Sequence, residues 1–331
     1  MSRRIDFHTH FVPLELERAT SDSPGWPNLV VTAPDCGHLA RNGEAFRPLD
    51  DRSWNAARRI ADMDAVHIDL QVLSPLPSTF AYEFAAEQTQ RYARIQNEAI
   101  AAVVRERPDR FGGLGTLTLQ DVDRACADLE HAIGELGLAG ALIGTNAGGK
   151  ELTDPAYEPL WERCDALAAV VFVHPESAPG FSRLTTPRLA FAAGYPNETG
   201  AAAAALIMAS FTIKYPRIRW VFAHGGGTLP WILPRLDSVW STFDDVKATL
   251  GRAPSDCARA LHYDTLTFDA PNLELLARRV GSRALLVGSD YPYVLMDDPP
   301  GSMVDTCAAI APQDRGAVFG GNARRLLERS A

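Results

Sequence analysis

His8 and His10 stand two residues apart in the run IDFHTHFV. Ile5, Phe7, Phe11 and Val12 favour extended backbone. In a strand, residues i and i+2 point to the same face, so the two imidazoles converge, with Asp6 and Thr9 around them. Two imidazoles on one face suit a metal ion, but a chain with eight histidines can produce one such pair by chance. Further polar residues stand where an apolar run stops. His174 ends AVVFVH, His224 ends IRWVFAH and Asp290 ends RALLVGSD. Each has an ordinary reading by itself: a histidine at a strand end is usually just hydrogen-bonded, and an aspartate before Tyr-Pro can start a turn. Their common placement is what points to a site.

These groups meet only if the strands carrying them share one sheet. Strand-like apolar runs lie at 3–10, 67–74, 111–117, 138–145, 169–175, 218–225, 262–268 and 283–290. Helical patterns occupy 84–107, 121–136, 155–168, 199–215, 229–243, 271–280 and 314–329, with Asp121 and Asp154 placed as helix starts. Eight strands alternating with helices predict an α/β fold, a parallel (β/α)8 TIM barrel. An open doubly wound sheet would want a glycine fingerprint after its first strand, and HTHFVP is not one. A barrel carries its chemical groups at the C-terminal ends of its strands. The eighth strand closes onto the first, which brings Asp290 beside His8 and His10, while His174 and His224 approach from the other side. Residues 11–50, rich in Pro, Gly and Asp, read as a small insertion after the first strand, with the first helix beginning near Asp51. The whole of 1–331 reads as a single barrel domain.

The composition limits the partners. With 46% hydrophobic and 22% charged residues, the chain has a core to bury and is not disordered. A formal charge of −9 and the absence of a basic run exclude a general nucleic-acid surface. Only three lysines are present (Lys150, Lys214, Lys247), so arginine or a metal must meet any anion. No long apolar segment predicts a signal peptide or membrane span, and five scattered cysteines without a C-x-x-C pair fit reduced thiols. The expected location is the cytoplasm.

The pattern D-x-H-x-H at Asp6, His8 and His10, together with FVHP, FAHGGG and GSDYP, resembles the amidohydrolase superfamily, most closely its aminocarboxymuconate-semialdehyde decarboxylase-like branch. NGEAFRPLDDRSW, RIADMD, QVLSPLP, RFGGLGTL and GYPNET extend the resemblance over nearly the whole chain. The resemblance implies a mononuclear metal site, usually zinc, held by His8, His10, His174 and Asp290, with His224 as acid/base. It also implies a homodimer, for which the Trp-bearing segment 231–243 is a candidate contact. Binuclear members carry a carboxylated lysine at the end of the fourth strand. AGALIGT has none there, and Lys150 comes later in a Gly-rich loop, so one metal is expected. Three imidazoles and a carboxylate suit zinc, and the hard carboxylate also admits Mn2+.

Loss of CO2 leaves an electron pair on carbon, which a metal-polarised oxygen can accept. The proton that replaces the carboxylate needs a nearby acid, for which His224 and Asp290 are candidates. Arg47, in AFRPL, stands where decarboxylases of this branch hold a substrate carboxylate; a solvated loop arginine is the plainer alternative. Arg235 matches another arginine of the branch and reads either as a site cation or as a structural partner of Asp237 or a helix end. Tyr293, Phe46 and Trp231 are candidate pocket walls, although core packing explains aromatics more often.

The sequence departs from the branch at Phe243, near the place of a second carboxylate-binding arginine, at Phe191 in place of tryptophan, and at Glu176 after FVHP in place of an aromatic. These changes favour a smaller or more aromatic acid, such as a hydroxybenzoate. The expected function is therefore a metal-dependent non-oxidative decarboxylase of an aromatic or conjugated unsaturated acid. A lactone or amide hydrolase using the same site is the alternative. His38, His67, His131 and His262 are assigned no part in the chemistry.

Overall fold

Eight parallel strands form a closed barrel in the computed structural model, which describes residues 3–328 apart from 182, 184 and 187. In chain order the strands are β1 (Ile5–Phe11), the insertion strands β2 (Asn28–Ala33), β3 (Cys36–Arg41) and β4 (Glu44–Asp50), then β5 (Leu70–Pro75), β6 (Phe111–Gly113) and β7 (Gly140–Gly144). A short hairpin, β8 (Asn146–Ala147) and β9 (Lys150–Glu151), precedes β10 (Val170–His174), β11 (Arg219–Phe222), β12 (His262–Asp264) and β13 (Leu285–Leu286). Ladders join β1–β5–β6 and β7–β10–β11–β12–β13. Two contacts close the ring: a parallel bridge between Gly115 and Ala141, and, on the other side, Phe7 N donating to Val287 O at 2.8 Å with a bridge between Thr9 and Tyr291.

The helices follow the same alternation. They are α1 (Ala56–Ala65), α2 (Ala86–Glu106), α3 (Val122–Glu130), α4 (Glu158–Ala166), α5 (Tyr195–Met208), α6 (Phe211–Lys214), α7 (Leu229–Thr242), α8 (Asp244–Leu250), α9 (Pro254–Ala258), α10 (Ala270–Val280) and α11 (Asn322–Leu327). They cover the outside of the sheet, so the strands are buried on both faces and read as apolar runs. Inside the barrel Phe7 and Phe172 pack with ring centroids 5.9 Å apart. Asp121 and Asp154 start their helices as expected, accepting from Arg124 N at 3.1 Å and Ala156 N at 2.9 Å.

Several strands are shorter than their apolar runs, for local reasons. β12 ends at Asp264 because that side chain accepts its own downstream Leu266 N–H at 3.1 Å and turns the chain. β11 ends before His224 because His224 and Gly225 adopt positive φ (55° and 62°). The helical run 199–215 is divided by Ser210 at φ 64°. α8 and α9 fill a stretch for which no helix is expected from the sequence.

Residues 28–50 form an antiparallel three-stranded sheet, with Leu39 paired to Arg47. Leu29, Leu39 and Leu49 anchor it on Val12, Leu16, Leu76 and Tyr92. Its concluding turn leads through Asn55, whose side chain caps α1. All five cysteines are free thiols. Among the described residues, no helix is long and apolar enough to cross a membrane.

Candidate active site

The ends of β1 and β10 and the loop after β13 bring His8, His10, His174 and Asp290 together. One ligand-type atom from each lies within 4.8 Å of the others. His8 and His10 are fully buried and His174 nearly so. The hydrogen bonds of the three rings fix their tautomers. His10 Nδ1 faces Pro75 O at 3.1 Å and His174 Nδ1 faces Pro175 O at 2.8 Å. A carbonyl only accepts, so both Nδ1 atoms carry the proton. His8 Nδ1 faces the Asp264 carboxylate at 2.7 Å and donates likewise. All three Nε2 atoms are then left with lone pairs.

Those lone pairs converge. His8 Nε2 and His10 Nε2 are 3.2 Å apart, and Asp290 Oδ1 lies 3.0 Å from His10 Nε2 and 3.6 Å from His8 Nε2. His174 Nε2 is buried with no protein partner. Acceptors pressed together in this way repel unless a cation lies among them. The donor set, three neutral imidazoles and one carboxylate, suits a single divalent transition metal. The residues therefore fit such an ion.

Charge follows the same layout. Burial holds the His10 pKa below its ordinary value despite the neighbouring Asp290 carboxylate. Burial and the neighbouring imidazoles push His174 well below. Burial works against ionisation of Asp290, but the imidazoles of His10, His224 and His8 around it outweigh that and hold the carboxyl well below its usual range. Burial also opposes charge on His8, yet the Asp264 hydrogen bond and the carboxylates around it raise its pKa.

Asp290 is held by its backbone. It sits at φ 65°, with its N–H donating to His8 O at 2.9 Å. The preceding Ser289 donates twice to Asp6, from N at 3.0 Å and Oγ at 2.6 Å. Burial raises the Asp6 carboxyl to about 7. Arg59, fully buried, donates to His10 O at 2.7 Å and packs over Tyr291.

His224 stands beside the cluster. Its ring centroid is 4.9 Å from that of His174 and 5.5 Å from that of His8, and its Nε2 is 3.9 Å from Asp290 Oδ2. Its Nδ1 is buried and unpartnered. Tyr293 packs against His10 at 5.8 Å, and the Arg47 guanidinium lies 5.2 Å from the Tyr293 ring centre. The insertion thus delivers Arg47 to the same side of the barrel, through Tyr293, whose hydroxyl is buried without a partner.

Phe191 is largely exposed and touches Tyr195, whose hydroxyl donates to Glu176 O at 3.0 Å. Arg235 is exposed on α7. Asp237 accepts the Ser255 N–H at 2.9 Å instead of a guanidinium. Phe46 packs under Arg41, and Trp231 stands in solvent.

The profile of the amidohydrolase family matches residues 5–329. The chain belongs to the amidohydrolase family. This amidohydrolase is 32% identical over 339 residues to 2-amino-3-carboxymuconate-6-semialdehyde decarboxylase of Dictyostelium discoideum, covering 98% of this chain and 92% of that one. Its fold is similar to that of Metarhizium anisopliae IDCase in apo form, with a TM-score of 0.83, 23% identity and coverage of 99% and 98%. It is also similar to a dihydroxybenzoic acid decarboxylase from Polaromonas sp. JS666, solved with manganese and 2-nitroresorcinol, with a TM-score of 0.76, 22% identity and coverage of 99% and 97%. These likenesses support a carboxy-lyase of the amidohydrolase superfamily.

One residue at this amidohydrolase site is not singled out by the sequence reading. Asp264 is the last residue of β12, but it lies inside the apolar run 262–268, so residue order does not mark it as a strand end.

Proposed function

We propose that this amidohydrolase is a non-oxidative decarboxylase of an aromatic or conjugated unsaturated carboxylic acid, dependent on one divalent metal, with zinc the expected ion and manganese the alternative. The observation that carries the reading is the convergence of three imidazole Nε2 lone pairs and Asp290 on one point, with His224 beside them. His8, His10, His174 and Asp290 would hold the ion. When bound, it would polarise a substrate oxygen and so stabilise the electron pair left as CO2 departs.

The chain's own residues supply the rest. Arg47 takes a substrate carboxylate through its paired N–H groups. Tyr293 offers its unpartnered hydroxyl to a polar substituent on the substrate. His224 exchanges the proton at Nε2, the atom that faces Asp290, and delivers it to the carbon that loses CO2. Phe191 and Arg235 are proposed on sequence grounds as further substrate contacts. Two copies are proposed to associate through Trp231 and Phe243, both exposed on or just after α7, and the cytoplasm is the proposed location.

The test is CO2 release across hydroxybenzoates and muconate-like acids, run beside a lactone panel, with elemental analysis of the purified protein. Release of CO2 with about one metal per chain is expected. Lactone opening without CO2 release transfers the site to a hydrolase, the reading that Arg47 disfavours. Arg47→Gln should raise KM for the acid about tenfold or more, the loss of a charge-assisted pair.

A further inference from the structure

Asp264 is fully buried at the end of β12 and accepts four hydrogen bonds. Oδ2 accepts from His8 Nδ1 at 2.7 Å and from His224 N at 2.9 Å. Oδ1 accepts from Gly225 N at 2.8 Å and Leu266 N at 3.1 Å. His224 and Gly225 are successive left-handed residues, a geometry that turns neighbouring N–H groups into one concavity suited to an anion. The carboxylate fills that concavity. Gly288 leaves room for the arrangement, since a β-carbon there would lie 2.7 Å from the β-carbons of both Asp264 and His8.

His10 and His174 rest on backbone carbonyls. His8 alone among the three clustered imidazoles rests on a carboxylate, and that same oxygen also holds the backbone of His224. We propose that Asp264 is a positioning residue that fixes the His8 tautomer and the placement of His224 at once, so that one side chain couples the metal-type cluster to the acid/base. The proposal rests on the reading of the site given above. The coupling is chemical as well as steric. An asparagine at 264 has one acceptor oxygen, and its NH2 must face either His8 Nδ1–H and His224 N–H or the N–H groups of Gly225 and Leu266. With the NH2 toward His8, donor opposes donor and the ring escapes by moving its proton to Nε2, which removes a lone pair from the cluster; with the oxygen toward His8, the acceptor of its Nδ1–H is no longer charged and the Gly225 and Leu266 N–H groups lose theirs.

The experiment is Asp264→Asn in the full chain, read by zinc affinity in chelator competition and by kcat and KM at saturating zinc. Zinc affinity should fall about 10–100-fold. At saturating zinc kcat should fall with KM nearly unchanged, and this fall should vanish in a His224→Ala background. Wild-type zinc affinity in Asp264→Asn overturns the proposal, and a kcat penalty that persists undiminished without His224 overturns the coupling. Should Asp264→Asn fail to fold, Gly288→Ala crowds the same contact and must lower zinc affinity for the proposal to stand. A wild-type chain that binds zinc yet releases CO2 from no acid defeats the decarboxylase reading alone, because the zinc-affinity arm still decides Asp264. A wild-type chain that binds no divalent metal defeats both.

Discussion

At the C-terminal mouth of the barrel, His174 Nε2 and His224 Nδ1 are buried and meet no protein partner. At the opposite end, His262 Nδ1 faces Trp220 O at 3.2 Å, and Asn322 Nδ2 serves Ser282 O and Leu285 O at 2.8 and 2.7 Å. Arg219, at the start of β11, donates to carbonyls of the C-terminal segment, including Glu328 O at 3.1 Å. These floor groups spend their hydrogen bonds on the backbone, while the mouth leaves two ring nitrogens without a protein partner. Histidine thus takes a different part at each end, according to whether the surrounding backbone supplies partners for its nitrogens. A buried polar group without a partner is costly, and at the mouth two such nitrogens stand beside the converging ligand-type atoms of His8, His10 and Asp290.

The sharpest way to break this contrast is His224→Ala. Turnover should fall about 10²–10⁴-fold, the usual loss of an acid/base group, while bound metal and the melting temperature stay near wild type. Loss of metal in that variant would place His224 among the ligands. Chelation separates the two ends in the same direction: activity should disappear and far-UV circular dichroism should remain that of a folded barrel.

The floor should respond in stability alone. Burial depresses the His262 pKa from 6.5 to about 4. Between those values the unfolded chain holds a proton that the folded one refuses. Stability from this group is therefore complete above pH 6.5, is lost as pH falls toward 4, and amounts to at most about 3 kcal/mol. His262→Gln should flatten the urea midpoint between pH 6.5 and 4 and leave kcat/KM at neutral pH within about twofold, as expected of a residue remote from the mouth. Asn322→Ala leaves two carbonyls without their donor and should cost about 1–3 kcal/mol with unchanged turnover. Asp121→Ala removes only the cap of α3 and should cost about 1 kcal/mol.

Apolar runs and what ends them are local properties of the chain. The alternation that makes a barrel, the helix starts at Asp121 and Asp154, and the polar residues at the ends of β1, β10 and β13 could therefore all be read from residue order. The insertion was legible only as a break in rhythm, because an antiparallel sheet depends on which strands pair, and pairing is not local. Asp264 was missed because its importance lies in partners 256 and 40 residues away, His8 Nδ1 and His224 N. Arg235 could be read in two ways because its sequence neighbour Asp237 was available as a partner; the fold instead gives Asp237 to Ser255.

Residue order alone determined which side chains could serve as ligands, since that depends on their chemistry and on the face a strand presents. Only the folded barrel decided which nitrogen of each imidazole points inward. That depends on the acceptor each ring finds, and the acceptors for His8 and His10 come from other strands, brought near only when the barrel closes.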